Sequence, residues 1–112
     1  MKKITVLGVT GSIGVQTVDV VYHNPNDYMI VGMSAGHNIS KLEEIIEKIP
    51  VQVVCVIEKN DAETLTKKYP HIRFVYGQEG LIEIATLADV EIVLNAIVGF
   101  AGLIPTIEAI RH

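Results

Sequence analysis

The sequence predicts a doubly wound α/β domain built on a parallel sheet, and three observations carry that prediction. Uncharged Val- and Ile-rich runs alternate along the chain with helix-like stretches, the pattern of strands buried on both faces and joined by crossover helices. Helix-start and helix-stop residues punctuate the series, and no internal repeat or low-complexity linker interrupts it. The 112 residues are about one domain, 49% apolar against 20% charged, so one core is expected over 1–112 and disorder is not.

The elements follow in order. "KITVLG" reads as a strand. Residues 12–23, "SIGVQTVDVVYH", place Ile13, Thr17, Val20 and Val21 along one helical face before Pro25 closes the segment. "YMIVGMSA" is the second strand. Ser40 with Glu43 forms a capping-box signature for a helix whose Leu42, Ile45, Ile46 and Ile49 have core spacing, ended by Pro50. "VQVVCVI" is the third strand, and Asn60 with Glu63 repeats the capping pattern for a helix running to about Tyr69. "IRFVYG" is a short strand, "QEGLIEIATL" a helix weakened by Gly80, and "EIVLNAI" a further buried strand. "GLIPTIEAIRH" begins a last helix with Pro105 in its first turn. That helix reaches the final residue without a C-cap glycine or polar tail, so the chain is expected to be part of a larger architecture.

Composition narrows the function classes. Net charge is −4, the nine Lys and Arg are scattered, and aromatic residues are 5%, which argues against nucleic acid as a partner. The longest uncharged apolar stretch, Ile92 to Ile107, is broken by Asn95, Gly99, Gly102 and Pro105, so no membrane span is read. "MKKITVLG" enters a glycine turn rather than a cleavage-like site, unlike a secretory signal. The single cysteine, Cys55, cannot form an internal disulfide, reads as an inert core residue, and fits a cytoplasmic location.

One turn carries the chemistry. "GVTGSIG", residues 8–14, lies where the first strand becomes the first helix, the preferred phosphate site of an open α/β sheet. Gly8 permits the tight turn, Gly11 lets a pyrophosphate approach the backbone, and Gly14 lets the helix pack against the strand. Unsatisfied N–H groups at the helix start bind an anion without any basic side chain. The spacing is GxxGxxG rather than GxGxxG, and glycines serving turn and packing alone are the competing reading. No Lys-Ser or Lys-Thr pair follows the last glycine, unlike a nucleoside-triphosphate loop. Thr10 and Ser12 add hydroxyl donors, with a turn residue and a helix cap as the plain alternative.

Beyond the second strand, where an NAD-binding domain places an acid on the adenosine ribose, the chain has "SAGHN" with Gly36, His37 and Asn38 and no carboxylate. That favours NADP, with His37 or Asn38 donating to the 2′-phosphate, and an exposed loop histidine followed by a turn-starting asparagine as the plain alternative. In "NAIVGFAGL", Asn95, Ala96 and Ile97 are candidates for the nicotinamide side, with ordinary turn and helix-entry glycines as an equal alternative. His23 reads as a helix-end residue, and His71 and His112 have no ligand geometry nearby in sequence. No carboxylate pair, HExxH, CxxC or nucleophile elbow is present.

The particular residues around these motifs resemble a known family. "ITVLGVTGSIGVQTVDVVYHNPNDYMIVGMSAGHN" and "NAIVGFAGLIPTIEAIRH" are similar to the N-terminal cofactor domain of the 1-deoxy-D-xylulose 5-phosphate reductoisomerases. The resemblance implies a Rossmann-like NADPH-binding domain of an enzyme that isomerises and reduces 1-deoxy-D-xylulose 5-phosphate to 2-C-methyl-D-erythritol 4-phosphate, in the non-mevalonate route to isoprenoid precursors. It also implies a divalent metal, magnesium or manganese, and a homodimer for the full-length enzyme. Metal-binding and substrate-phosphate residues are expected beyond this chain, which is expected to be inactive alone. Carried over by position, Thr10, Gly11, Ser12 and Ile13 hold cofactor phosphates and ribose, and Gly36, His37 and Asn38 surround the adenosine end. The cofactor domain of another NADP-dependent reductase, or a non-enzymatic redox-sensing module, stays open as an alternative.

Overall fold

The computed structural model describes residues 2–95. Five parallel strands form one sheet in the order β4-β3-β2-β1-β5. The strands are β1 (Lys2–Leu7), β2 (Tyr28–Ser34), β3 (Val53–Val56), β4 (Arg73–Tyr76) and β5 (Ile92–Asn95), and the helices α1 (Ser12–His23), α2 (Ile39–Lys48), α3 (Lys59–Lys68) and α4 (Gly77–Ala85) alternate with them. The doubly wound α/β expectation is met. The chain steps outward from β1 to β4 and then returns to pair β5 with the other side of β1, so the winding direction reverses at β1.

The core has two parts because the sheet has two covered faces. Val18 and Val21 of α1, Leu42, Ile45 and Ile46 of α2, and Ala62 and Leu65 of α3 pack with Val6, Ile30, Met33 and Val54. On the other face Ile84 of α4 packs with Leu7, Val53 and Cys55. The buried Thr5 hydroxyl donates to the Ile84 carbonyl at 2.8 Å, which satisfies a polar group in the core and ties α4 to β1.

Several local expectations are corrected. The buried face of α1 is Gly14, Val18 and Val21, whereas Ile13 and Val20 are 59% and 51% exposed. The face chosen from sequence was rotated because it omitted Gly14, whose missing side chain makes it the closest contact. Helix α2 is capped by Asn38, which accepts from the Lys41 amide at 3.1 Å. Ser40 therefore lies inside the first turn, and the Ser40–Glu43 box does not form.

Helix α3 likewise starts before Asn60, with Glu58 in the N-cap position and no side-chain cap. Gly80 in α4 also has a packing reason: a Cβ there would stand 3.0 Å from the Cys55 sulfur and 3.1 Å from Val75 Cγ2, so its absence allows the helix to lie close on the sheet. Strand β5, expected to be buried, has exposed ends and half-buried Val93 and Leu94 among the described residues. Of the last predicted helix and the strand end at Ala96 and Ile97, nothing lies within the described residues.

Candidate cofactor site

The reversal at β1 places its carboxyl end at the crevice where open α/β sheets bind ligands. The turn 8–14 leaves β1 there. Its three glycines have three different reasons. Gly8 takes φ +84°, a conformation side chains rarely adopt. Gly14 is a packing requirement: a Cβ would meet the Gly8 carbonyl oxygen and lie 2.6 Å from Val9 Cα. Gly11 has neither constraint, since its φ is −79° and a Cβ would touch only the Gly8 oxygen at an ordinary 3.5 Å. Space beside Gly11 is thus left open by the protein itself.

Main-chain donors without a partner flank that space. Gly11 occupies the N-cap position of α1, makes no side-chain cap, and the first turn carries no acid. The Gly8, Val9 and Gly11 amides are used internally, by Ser34 Oγ, the Ser34 carbonyl and the Gly8 carbonyl respectively. The amides of Thr10, Ser12, Ile13 and Gly14 have no acceptor among the described residues. Four uncompensated N–H groups at the positive end of a helix dipole are suited to an anion, and no basic side chain is required. Ser12 is the first helical residue rather than the cap, and exposed Ile13 stands beside it as an apolar surface.

A cleft of about 310 Å³ adjoins the turn. It is lined by Gly8, Ser34, Ala35, Gly36, Cys55, Val56, Ile57, Gly77, Gln78 and Leu81, so it runs across the carboxyl ends of β1, β2 and β3 to the start of α4. Its walls are mostly apolar, with Ser34 and the Gln78 amide as polar groups. Of the residues singled out after β2, Gly36 lines the cleft; His37 and Asn38 follow it on exposed backbone. The Asn38 Oδ1 is spent on the α2 cap, which leaves its Nδ2 as the donor side.

Asn95 is paired in register with Leu7 and so reaches the turn from the other side. Ala96 and Ile97 lie outside the described residues.

The sequence reading missed the far wall, from Cys55 to Leu81. The motifs lie at the ends of the first, second and fifth strands, although the same carboxyl-end rule points to the ends of β3 and β4 as well. Cys55 is buried, as expected, but also forms part of the cleft floor. Burial, and secondarily Glu83, pushes its thiol from the usual 9.0 up to about 12, which keeps it protonated and unreactive at neutral pH. Among the described residues no group of three or more His, Cys, Asp or Glu could hold a metal ion, and no helix is long and apolar enough to cross a membrane.

Comparison with known proteins agrees with this geometry. Residues 4–112 match the family model described as 1-deoxy-D-xylulose 5-phosphate reductoisomerase. The chain is 42% identical over 111 residues to the reductoisomerase of Listeria welshimeri and 46% identical over 112 residues to that of Halalkalibacterium halodurans, covering 99% of this chain and 29% of each relative.

Among solved structures, the reductoisomerase from Zymomonas mobilis in complex with NADPH superposes with a TM-score of 0.88 at 28% identity, over 98% of this chain and 29% of that one. A reductoisomerase in complex with NADPH, fosmidomycin and magnesium gives 0.90 at 32% identity, over 97% of this chain and 28% of that one. The chain thus spans under a third of the length of the relatives it matches. With the family match running through the glycine turn, β2 and the loop after it, this chain belongs to the 1-deoxy-D-xylulose 5-phosphate reductoisomerase family.

Proposed function

We propose that residues 1–112 form the NADPH-binding part of an enzyme that converts 1-deoxy-D-xylulose 5-phosphate to 2-C-methyl-D-erythritol 4-phosphate. The observation that carries the reading is the set of unspent amides at Thr10, Ser12, Ile13 and Gly14 around the open space at Gly11. A diphosphate fits there because its charge meets fixed donors and its bulk meets no side chain.

In this reading the adenosine half lies in the cleft past Gly36, and the 2′-phosphate is held by His37 and the Asn38 amide nitrogen. Ala96 and Ile97, after Asn95, face the nicotinamide half. The cofactor supplies hydride; this chain's residues bind it, orient it and wall it from water. Solved members of the family carry magnesium, but the described residues form no donor cluster for it, so no metal step is assigned to them. The full-length protein is proposed to be a cytoplasmic homodimer.

Calorimetric titration of the chain with NADPH and NADH side by side tests the binding reading. NADPH should bind more tightly, and Gly11→Val should weaken it in a folded protein. Equal affinity for the two nucleotides, or no loss in the variant, refutes the placement. The reaction itself is tested by following NADPH oxidation with 1-deoxy-D-xylulose 5-phosphate and magnesium. The 112-residue chain alone is expected to show none.

A further inference from the structure

Ser34 closes β2 and is 2% exposed, one of only two buried polar residues among those described. It makes two bonds to the phosphate turn. Its Oγ accepts from the Gly8 amide at 2.8 Å, and its carbonyl accepts from the Val9 amide at 2.8 Å.

Gly8 has left the regular ladder at φ +84°, where the parallel strand offers its amide no main-chain acceptor. The serine oxygen takes that role. On its other side the next residue is anchored as well, since the Ala35 amide donates to the Cys55 carbonyl at 2.9 Å. Ser34 therefore joins the turn after β1 to the strand end that leads into Gly36, His37 and Asn38.

The hydroxyl has one function left. A serine oxygen accepts and its proton donates, yet this proton has no acceptor among the described residues. Ser34 is one of the residues lining the cleft, with Gly8 and Gly36. A buried donor is rarely left without a partner.

We infer that Ser34 is a positioning residue for the dinucleotide: it holds the Gly8 turn open by accepting its amide, and donates its own proton to an oxygen of the bound cofactor's adenosine half. The inference rests on the proposed NADPH reading. It gives the second strand a part in phosphate binding that glycine spacing alone does not reveal. It also explains how an uncapped turn stays open before any ligand arrives.

The test compares wild type, Ser34→Ala and Ser34→Thr by NADPH titration, at a temperature where circular dichroism shows all three folded. Ser34→Ala removes the acceptor and the donor together and should raise Kd about tenfold or more. Ser34→Thr keeps the hydroxyl and should restore affinity to within about threefold of wild type. A purely structural serine would lower the melting temperature and leave the affinity of the folded protein alone, and that result overturns the inference.

Should Ser34→Ala fail to fold, a wild-type crystal with NADPH decides. A Ser34 Oγ within about 3.5 Å of a nucleotide oxygen supports the role, and a longer separation from every nucleotide atom overturns it. Wild type that binds no NADPH refutes the cofactor reading and this role with it. Wild type that binds while Ser34→Ala binds equally refutes this role alone.

Discussion

Gly14→Ala and Gly11→Ala separate a glycine that the fold needs from one that the ligand needs. At Gly14 the added methyl would lie 2.6 Å from Val9 Cα and 2.7 Å from the Val9 carbonyl carbon. Both neighbours are backbone, so no side chain can swing aside, and the start of α1 must retreat by about 1 Å to reach ordinary contact. Overpacking of this kind costs about 3 kcal/mol. Alanine returns about 1 kcal/mol of helix propensity, which leaves a net loss of about 2 kcal/mol. For a chain of 112 residues that lowers the melting temperature by about 8 °C.

At Gly11 the methyl meets only the Gly8 oxygen at 3.5 Å. A weaker N-cap then costs about 0.5 kcal/mol, or about 2 °C, while NADPH affinity falls at least about tenfold because the methyl occupies the diphosphate's space. Calorimetry measures both quantities on both proteins. If Gly14→Ala melts with wild type, the close helix–strand crossing is wrong; if Gly11→Ala binds NADPH normally, the diphosphate lies elsewhere.

Other substitutions probe the adenosine side and the core. His37→Glu places a carboxylate where the 2′-phosphate is proposed, so NADPH should weaken about tenfold while NADH changes little; competitive titration of the two nucleotides reads the ratio. Asn38→Ala removes the α2 cap given by its bond to the Lys41 amide and should cost about 1 kcal/mol, near 4 °C in thermal unfolding.

Cys55, with its thiol raised from 9.0 to about 12, should resist iodoacetamide in the folded chain at neutral pH and react on unfolding. Because the folded state holds that proton more tightly than the unfolded state, the group's contribution to stability is present below pH 9.0 and is lost between pH 9.0 and about 12, at up to about 1.4 kcal/mol per pH unit. A Cys55→Ala variant should lose that share of the alkaline slope in denaturant titrations.

The winding of the sheet was readable from sequence because β-rich apolar runs and helix breakers alternate at the spacing a crossover requires. The first helix was read to the residue, Ser12 to His23, since glycine before it and Asn-Pro after it leave little choice. Helix starts were read less well. Ser40 and Asn60 are good caps by type, but at α2 the sheet delivers the chain two residues earlier and Asn38 takes the position. Glu58 starts α3 without any side-chain cap, so tertiary packing outweighs the local preference there.

The face of α1 differs from its hydrophobic periodicity for a related reason: periodicity counts side chains, and the closest contact in this helix is made by Gly14, which has none. The turn of the candidate site was legible, because glycine spacing marks backbone left open at a strand end. The wall from Cys55 to Leu81 carries no motif, only position at strand ends, and Ser34 is visible only once β1 and β2 are paired.

An acidic chain proposed to bind a multiply charged anion poses a problem that this arrangement answers. Net charge is −4, and neither the turn nor the cleft presents Lys or Arg. The net charge of this chain therefore does not attract the anion, and in the proposed reading affinity comes from contacts at bonding distance. Main-chain amides meet that need because their dipoles are fixed by the helix and the sheet, so little reorganisation opposes binding.

They also impose a condition. The amides point at a ligand only if the chain around them is held without its own side chains in the way, which is why Gly14 is packed against Val9 and Gly8 is held by Ser34. The structural glycine and the serine thus act upstream of Gly11: they keep the turn in a shape in which an empty position has chemical meaning.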